Sequence, residues 1–398
     1  MAGEAVETHD ARVNLLSPEA AASPQPVYAR LHAQGGMLRT PLTGSPILCR
    51  YEDVLWALRH PAIFSSETQV HLALGTVRPM IPQQIDPPRQ TRFRKILDPR
   101  FSRQRVLELE PHVRRHANRL IDGFIGDGEC EFDHAFAVPF PGQVFLDLMG
   151  LPPEDLDVFL QLKDAIVRPH MQTRDLEAMA ALRTRAGRQI YAYFEILIDE
   201  RTAHPRDDIV TYLLGAELDG RRLTHEEILD VCYLFLLGGL NTVTASLGCS
   251  FAHLAAHPEA RARLADPALI PGAVEELLRF ETPVTVVPRL VKQDVTLGSL
   301  EIKAGEMVAL LLGAADTDES EFADALRVDF ERTPNRHLAF GAGPHRCLGS
   351  HLARMELRVA LEEWHRRIPA YAIKPGETPR YSSAIREVQY LPLVWPPA

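Results

Sequence analysis

One cysteine stands apart from the other four. Cys49, Cys130, Cys232 and Cys249 sit among apolar residues, where a thiol is most simply a small core side chain. Cys347 lies instead in the polar, glycine-rich run Phe340-Gly-Ala-Gly-Pro-His-Arg-Cys-Leu-Gly349. A sulfur on a tight loop just ahead of a helix, here expected over Ser350–Arg367, can lie near backbone N–H groups. Those donors, with His345 and Arg346, favour thiolate over thiol. Glycines at 341, 343 and 349 let the backbone fold closely and approach a flat ligand without Cβ clashes. Such a thiolate could ligate haem iron, pushing electron density onto the metal and favouring O–O cleavage. It could equally be a reactive or structural loop cysteine. With His345 and His351 it could form part of a zinc site, although no CxxC or HExxH spacing accompanies it. Spacing alone leaves all three readings open.

Three other constellations could serve the same centre. Leu237-Gly-Gly-Leu-Asn-Thr-Val-Thr244 places Gly238 and Gly239 inside a long helix, where each costs about 1 kcal/mol relative to Ala. Close helix packing would explain them, as would a Thr bonding back to a carbonyl one turn earlier. So would a local opening of the helix that leaves a groove beside a bound ligand. Glu276-Leu-Leu-Arg279, taken by itself, is an i,i+3 surface ion pair worth roughly a few tenths of a kcal/mol. In Asp86-Pro-Pro-Arg-Gln-Thr-Arg-Phe-Arg94, Gln90 and Arg94 are one helical turn apart and can face one partner. Residues 89–119 hold ten Arg or Lys against three Asp or Glu, a local balance of +7 in a chain of formal net charge -10. A solvated face is the ordinary reading of such a cluster, and a docking surface for an acidic partner is the functional one.

These residues need a scaffold. At 398 residues the chain exceeds the usual single-domain size, yet no linker, low-complexity tract or repeat divides it. One domain over residues 1–398 is expected. The acidic balance argues against a nucleic-acid partner. The N-terminus lacks a basic segment followed by an apolar core, so no signal peptide is expected. Apolar runs such as Leu234–Leu237 are too short to span a bilayer. Irregularly spaced cysteines fit reduced thiols, and a cytoplasmic protein without a membrane anchor is expected. Apolar residues at three- and four-residue spacing predict helices over Val106–Ile125, Glu154–Ile166, Leu176–Arg201 and Thr224–His257. The last opens on a capping box, Thr224 with Glu227, and closes at Pro258. It should run for about 32 residues, or roughly 48 Å. Strand-like segments fall at Leu38–Arg50, Thr285–Leu290, Val295–Leu312 and Val388–Val394. The pattern is a mainly α body with small sheets, and residues 313–347 are expected to run irregularly.

The Cys347 segment resembles the haem-binding signature of the cytochrome P450 family, Phe-x-x-Gly-x-(His/Arg)-x-Cys-x-Gly, matched at Phe340, Gly343, His345, Cys347 and Gly349. The other constellations recur in the family's order, so the resemblance covers nearly the whole chain. Tyr51-Glu-Asp-Val-Leu-Trp-Ala-Leu-Arg-His-Pro with Phe64-Ser-Ser is also similar to bacterial members. The resemblance implies a helix-rich triangular prism with small β-sheets around a buried haem b, whose iron takes Cys347 as axial ligand. It places Phe340, Gly341 and Gly349 against the haem. Gln90, Arg94, Arg289 and His345 would meet its propionates, with Arg–carboxylate pairing as the physical reason; many relatives carry His at the Gln90 position. Glu276 and Arg279 would form a buried network, through Asn335 or Arg336, that serves folding and haem retention.

In the long helix Gly238, Gly239 and Thr242 match the family's (Ala/Gly)-Gly-x-(Asp/Glu)-Thr element and resemble most closely the camphor-hydroxylase type. The acid position is Asn241, which cannot take up and release a proton. Water ordered by Asn241 and Thr242 would have to substitute. The pocket walls implied are the segment from about Val70 to Ile81, residues 163–182, Leu234, Leu237, Val284, Val286, Val287 and Ser383–Ile385. The implied reaction is insertion of one dioxygen atom into an apolar molecule (terpenoid, fatty acyl or steroid-like) by hydroxylation or epoxidation. Electrons would come from a separate ferredoxin and its reductase, docked on the basic stretch, since no flavin or nicotinamide domain is fused. A monomer is expected. Asn241 keeps open a haem-thiolate sensor or ligand-binding protein without efficient turnover. A peroxygenase is the other alternative, although peroxygenase members usually lack the Thr.

Overall fold

The computed structural model describes residues 17–40, 44–68, 73–382 and 385–396. Its axis is the helix His225–Ala256, 32 residues long. The predicted capping box starts it: the Thr224 hydroxyl accepts the Glu227 N–H at 3.2 Å, and the Glu227 carboxylate accepts the Thr224 N–H at 2.9 Å. Hydrogen bonds from Arg221 hold the Glu227 carboxyl down at about 2. At the far end Pro258 opens a short separate helix, Pro258–Ala262, because it has no N–H with which to continue the first.

One expectation fails here. Among the described residues this helix is long and apolar enough to cross a membrane, with a mean hydropathy of 1.6 over an 18-residue stretch. Uninterrupted runs are a poor gauge, because Gly, Ser, Thr and Asn break a run while lowering the mean only slightly. The same stretch is 72% buried inside the molecule, the condition of a core helix that is apolar on every side.

Two apolar cores meet along this axis. Residues Ile228 to Leu240 pack with Phe145, Phe159, Ile190 and Phe194. Residues Val243 to Ala255 pack with Phe132, Phe136, Phe140 and Trp364. Asn241 and Thr242 fall at the seam between them.

The predicted helices are all present, as Arg103–Asp122, Leu156–Val167 and Leu176–Ala203 beside the long one. Leu38–Arg50 resolves into strands Met37–Arg39 and Pro46–Leu48. Thr285–Leu290 becomes Val287–Val291. Val295–Leu312 divides into Val295–Leu297, Leu300–Ile302 and Met307–Leu310 before a turn of helix at Leu312–Ala315. The main sheet has five strands in the order Met37–Arg39, Pro46–Leu48, Met307–Leu310, Val287–Val291, Phe64–Ser65. Its antiparallel pairing sets Arg289 opposite Val308. The helix Pro139–Met149 carries almost no polar face and gives no amphipathic period, so sequence patterning passes over it.

Candidate active site

The loop that carries Cys347 is held from outside by a knot of buried charge. Glu276 and Arg279, on the helix Ile270–Glu281, are fully buried and bond in bidentate fashion at 2.8 and 2.9 Å. Arg279 also donates to the carbonyls of Asp316, Ala325 and Arg327 at 2.7, 2.8 and 3.2 Å. Glu276 accepts from Asn335 at 3.0 Å, from the Asp329 N–H at 3.0 Å and from Arg332 at 3.0 and 3.1 Å. Burial opposes its ionisation, but hydrogen bonds from Arg279 and these partners outweigh that and keep the carboxyl below its ordinary range. The network runs through Asn335, as the resemblance implies. Arg336 acts elsewhere, through its backbone carbonyl, which accepts the Tyr51 hydroxyl at 2.7 Å. Arg332 escaped sequence reasoning entirely.

Within the loop the Cys347 N–H donates to the Phe340 carbonyl at 2.8 Å and the Gly341 N–H to Leu338 at 2.7 Å. Gly343 has φ +66°, and a Cβ there would lie 2.3 Å from the Leu58 carbonyl, so only glycine fits. Gln90 donates to the Pro344 carbonyl and Arg94 to the Arg346 carbonyl, both at 2.6 Å. The two residues one turn apart therefore do share a partner. It is the loop backbone, which uses one of the two N–H donors of the Gln90 amide. The helix Ser350–Arg367 follows, with the bounds expected.

Burial pushes the Cys347 thiol up, against the Gly349 N–H and Arg94, Arg354 and Arg346, which pull it down. The loop N–H and the arginines thus favour the thiolate, and burial opposes it. His345 does not help, because burial first, then Arg289 and Arg94, depress its imidazole to about 4. A coordinated metal would settle the matter, since a ligating thiol is deprotonated outright. The thiol lies deep in the protein and still presents accessible surface.

A second accessible surface lies on one face of the long helix. Leu234, Leu237, Gly238, Gly239 and Thr242 keep accessible surface in a helix that is otherwise mostly buried. Residues 234, 237, 238 and 242 follow i, i+3, i+4, i+8 and so share a face. The helix is unbroken here, and the local opening considered from the two glycines is not observed. Instead the Thr242 hydroxyl donates to the Gly238 carbonyl at 2.9 Å. Asn241 is buried, and neither its Oδ1 nor its Nδ2 has a hydrogen-bond partner.

Packing gathers the remaining candidates. Leu348, beside Cys347, borders the same apolar cluster as Leu234 and Leu237. Val287 and Ala342 border another. The Arg386 N–H donates to the Pro283 carbonyl at 3.1 Å, setting Ile385 beside Val284. Val286 is 40% exposed. The Tyr233 hydroxyl donates to the Leu74 carbonyl at 2.7 Å, tying the long helix to the segment before Ile81. Residues 69–72 and Ser383 lie outside the described residues. Arg289 is deeply enclosed; burial lowers its guanidinium to about 10, partly offset by Asp86, and its described hydrogen bond goes to the neighbouring Pro288 carbonyl.

The Cytochrome P450 family model matches residues 158–266 and 268–367. The chain belongs to the cytochrome P450 family. This P450 is 36% identical over 365 residues to the mycinamicin IV hydroxylase/epoxidase of Micromonospora griseorubida, covering 88% of this chain and 89% of that one. It is 35% identical over 328 residues to the steroid C26-monooxygenase of Mycolicibacterium smegmatis, covering 80% and 79%. Among solved structures, CYP109E1 from Bacillus megaterium in complex with testosterone matches with a TM-score of 0.87 at 31% identity, covering 95% of this chain and 99% of that one. This P450 is accordingly a monooxygenase that draws electrons from redox partners, and its cofactor is cysteine-ligated haem b.

The residues present fit that group. His345 Nε2 is buried without a hydrogen-bond partner, and Arg289 has no bonded carboxylate among the described residues. An anionic group set between them would satisfy both. A Cβ on Gly349 or Gly238 would meet nothing within 4 Å, so neither glycine is required by polypeptide packing, and both leave room for a flat ligand. The zinc alternative at His345, Cys347 and His351 falls away: among the described residues no group of three or more His, Cys, Asp or Glu side chains converges on a metal position.

Proposed function

We propose that Cys347 supplies the thiolate, that Arg289 and His345, backed by Arg94, hold the propionates, and that substrate meets dioxygen over the face of Leu234, Leu237, Gly238, Gly239 and Thr242. The carrying observation is the accessible, deeply enclosed Cys347 thiol on its pinned loop. Cys249 is the contrasting case: it is buried in the second core, its sulfur faces the Arg386 carbonyl at 3.5 Å, and burial pushes its thiol up to about 12. Bound there, the haem would supply dioxygen binding and O–O cleavage, assisted by electron donation from the thiolate. The polypeptide's part is to exclude water, orient the substrate and deliver protons. All 398 residues act as one cytoplasmic domain in this reading.

The walls Leu234, Leu237, Val284, Val286, Val287 and Ile385 offer aliphatic surface, which selects by apolar area and shape. A terpenoid, fatty acyl or steroid-like substrate suits them, and the macrolide and steroid named for the relatives are of that character. Hydroxylation or epoxidation of such a substrate is the reaction proposed, in keeping with the activities named for the relatives. Displacement of the Soret band across a panel of such compounds, then coupling of NADH consumption to oxygenated product through a surrogate ferredoxin system, tests the assignment. A panel that neither moves the band nor yields product would overturn it.

Position 241 carries a distinct expectation. Asn241 cannot relay a proton, so water held near Thr242 must do so. Asn241→Asp should raise coupled product per NADH several-fold while leaving substrate affinity within about twofold, because the pocket walls are untouched. Unchanged coupling would mean that ordered water already suffices.

The electron donor is taken to be an acidic ferredoxin. Much of the basic stretch is neutralised by its surroundings: Arg89 pairs with Glu227, Arg92 with Asp219, and Arg114 with Glu110, Glu362 and Glu363. Arg105 bonds Glu108 and lies 3.7 Å from Asp207, whereas Arg103 has no ion pair among the described residues. Docking must use what is left over. Arg103→Glu with Arg105→Glu should raise the apparent KM for ferredoxin several-fold at low salt and flatten its salt dependence, with substrate binding unchanged. Equal ferredoxin kinetics at low and high salt would return the cluster to a solvated face.

A further inference from the structure

The helix Ile270–Glu281 presents two adjacent carboxylates to the Cys347 loop, and only Glu276 belongs to the knot described above. Glu275 has its own partners. Arg354, from the helix that follows Cys347, grips it in bidentate fashion at 2.6 and 2.8 Å. His337 meets it at 3.1 Å through Nε2. The Ala339 N–H donates to His337 Nδ1 at 3.3 Å, so Nδ1 is an acceptor and the imidazole proton sits on Nε2, aimed at Glu275. Thus fixed, the Arg354 guanidinium lies over the Phe340 ring, 4.3 Å from its centroid. Phe340 is also the residue whose carbonyl accepts the Cys347 N–H. A cation is therefore locked against the loop two turns past Cys347, and a carboxylate is locked behind the cation.

We infer that Glu275 and Arg354 are positioning residues that tune the electron-donor strength of the Cys347 thiolate: Arg354 holds positive charge against the loop and Glu275 sets how much of that charge the sulfur feels. The inference rests on Cys347 being the haem ligand. Its physical basis is Coulombic and has a definite sign. Reduction adds negative charge at the haem–thiolate unit, so a nearby cation favours the reduced form and a nearby anion disfavours it. Burial works against ionisation of Glu275, yet His337 and Arg354 outweigh it and hold its carboxyl near 2, so its charge persists at any working pH. Packing alone predicts no sign. Loosening the clamp from either end would disturb the loop in the same way.

The experiment is a spectroelectrochemical titration of the holoenzyme in wild type, Arg354→Met and Glu275→Gln, with the reduced carbon monoxide spectrum recorded for each. Arg354→Met removes the cation and leaves the anion, so the midpoint should move to more negative potential. Glu275→Gln releases the cation from its counter-charge, so the midpoint should move to more positive potential. Each shift should change the reduced-to-oxidised ratio at fixed potential at least threefold, about 28 mV at 59 mV per tenfold for one electron. Arg354→Lys keeps the charge but loses the fork and the flat stack, and should recover most of the Met shift. Should Arg354→Met fail to retain haem, Glu275→Gln and Arg354→Lys still carry the comparison. Shifts of the same sign, or both under about 1.5-fold, overturn the inference and leave the clamp purely structural. A wild type without a thiolate-type carbon monoxide band would instead overturn the ligand assignment, so the two failures are distinguishable.

Discussion

Cys347→His is expected to abolish the strongly red-shifted Soret band that the reduced carbon monoxide complex of the wild type should show. The band reports electron donation from a thiolate, and imidazole is a neutral and weaker donor. The loop itself should survive the exchange, because its closure uses the Cys347 backbone N–H and the Phe340 carbonyl and not the sulfur. Monooxygenase turnover should fall by more than the roughly 10- to 100-fold that follows loss of a partner one layer outside a metal. Cys249→Ala is the companion variant and should keep the band. The assignment is wrong if Cys347→His retains the band, and Cys249 becomes the ligand if Cys249→Ala loses it.

Glu276→Gln should have the next largest effect, on stability and haem retention. The carboxylate faces Arg279 and Arg332 and accepts from Asn335 and the Asp329 N–H. Neutralising it leaves the Arg279 cation buried with carbonyl oxygens only. Breaking one side of a buried pair costs about 3–5 kcal/mol. The midpoint of chemical denaturation should drop accordingly, and the purified variant should carry a smaller haem fraction, since the strap from 316 to 335 leads directly into the Cys347 loop. Adding Arg279→Met should recover part of the loss, because the fully buried cation is then removed and only the less buried Arg332 is left without its carboxylate, and the two changes should be far from additive. A Glu276→Gln protein within about 1 kcal/mol of wild type would show that the amide oxygen and the backbone carbonyls suffice without the charge.

The parts of this molecule that are legible in its sequence are those whose signals are local. Thr224 and Glu227 are three residues apart, and the long helix begins where they say it does. Pro258 stops it, and the helix after Cys347 follows from the loop before it. The charged scaffold has no such local trace. The Glu276 partner Arg332 lies 56 residues away, and the backbone partners of Gln90 and Arg94 lie 254 and 252 away. No spacing rule reaches that far, so two residues that look like ligand contacts also serve as struts. The basic stretch shows the same gap. A local balance of +7 is read directly from the chain, yet acids from distant segments neutralise much of it in the fold. Asn241 is visible as a departure from the family pattern, but its unsatisfied amide depends on tertiary burial that the sequence does not display.

The contact of Gly343 with the Leu58 carbonyl, and the bond from the Tyr51 hydroxyl to the Arg336 carbonyl 285 residues later, bear on how the protein is born. The helix Tyr51–Arg59 is synthesised well before the loop it supports. At roughly 5–20 residues per second, that helix waits on the order of 15–60 s for its partner. During that interval its apolar face, including Leu55 and Trp56, lacks the cover that the C-terminal third provides. The loop that would hold the cofactor therefore gains this support only after that interval.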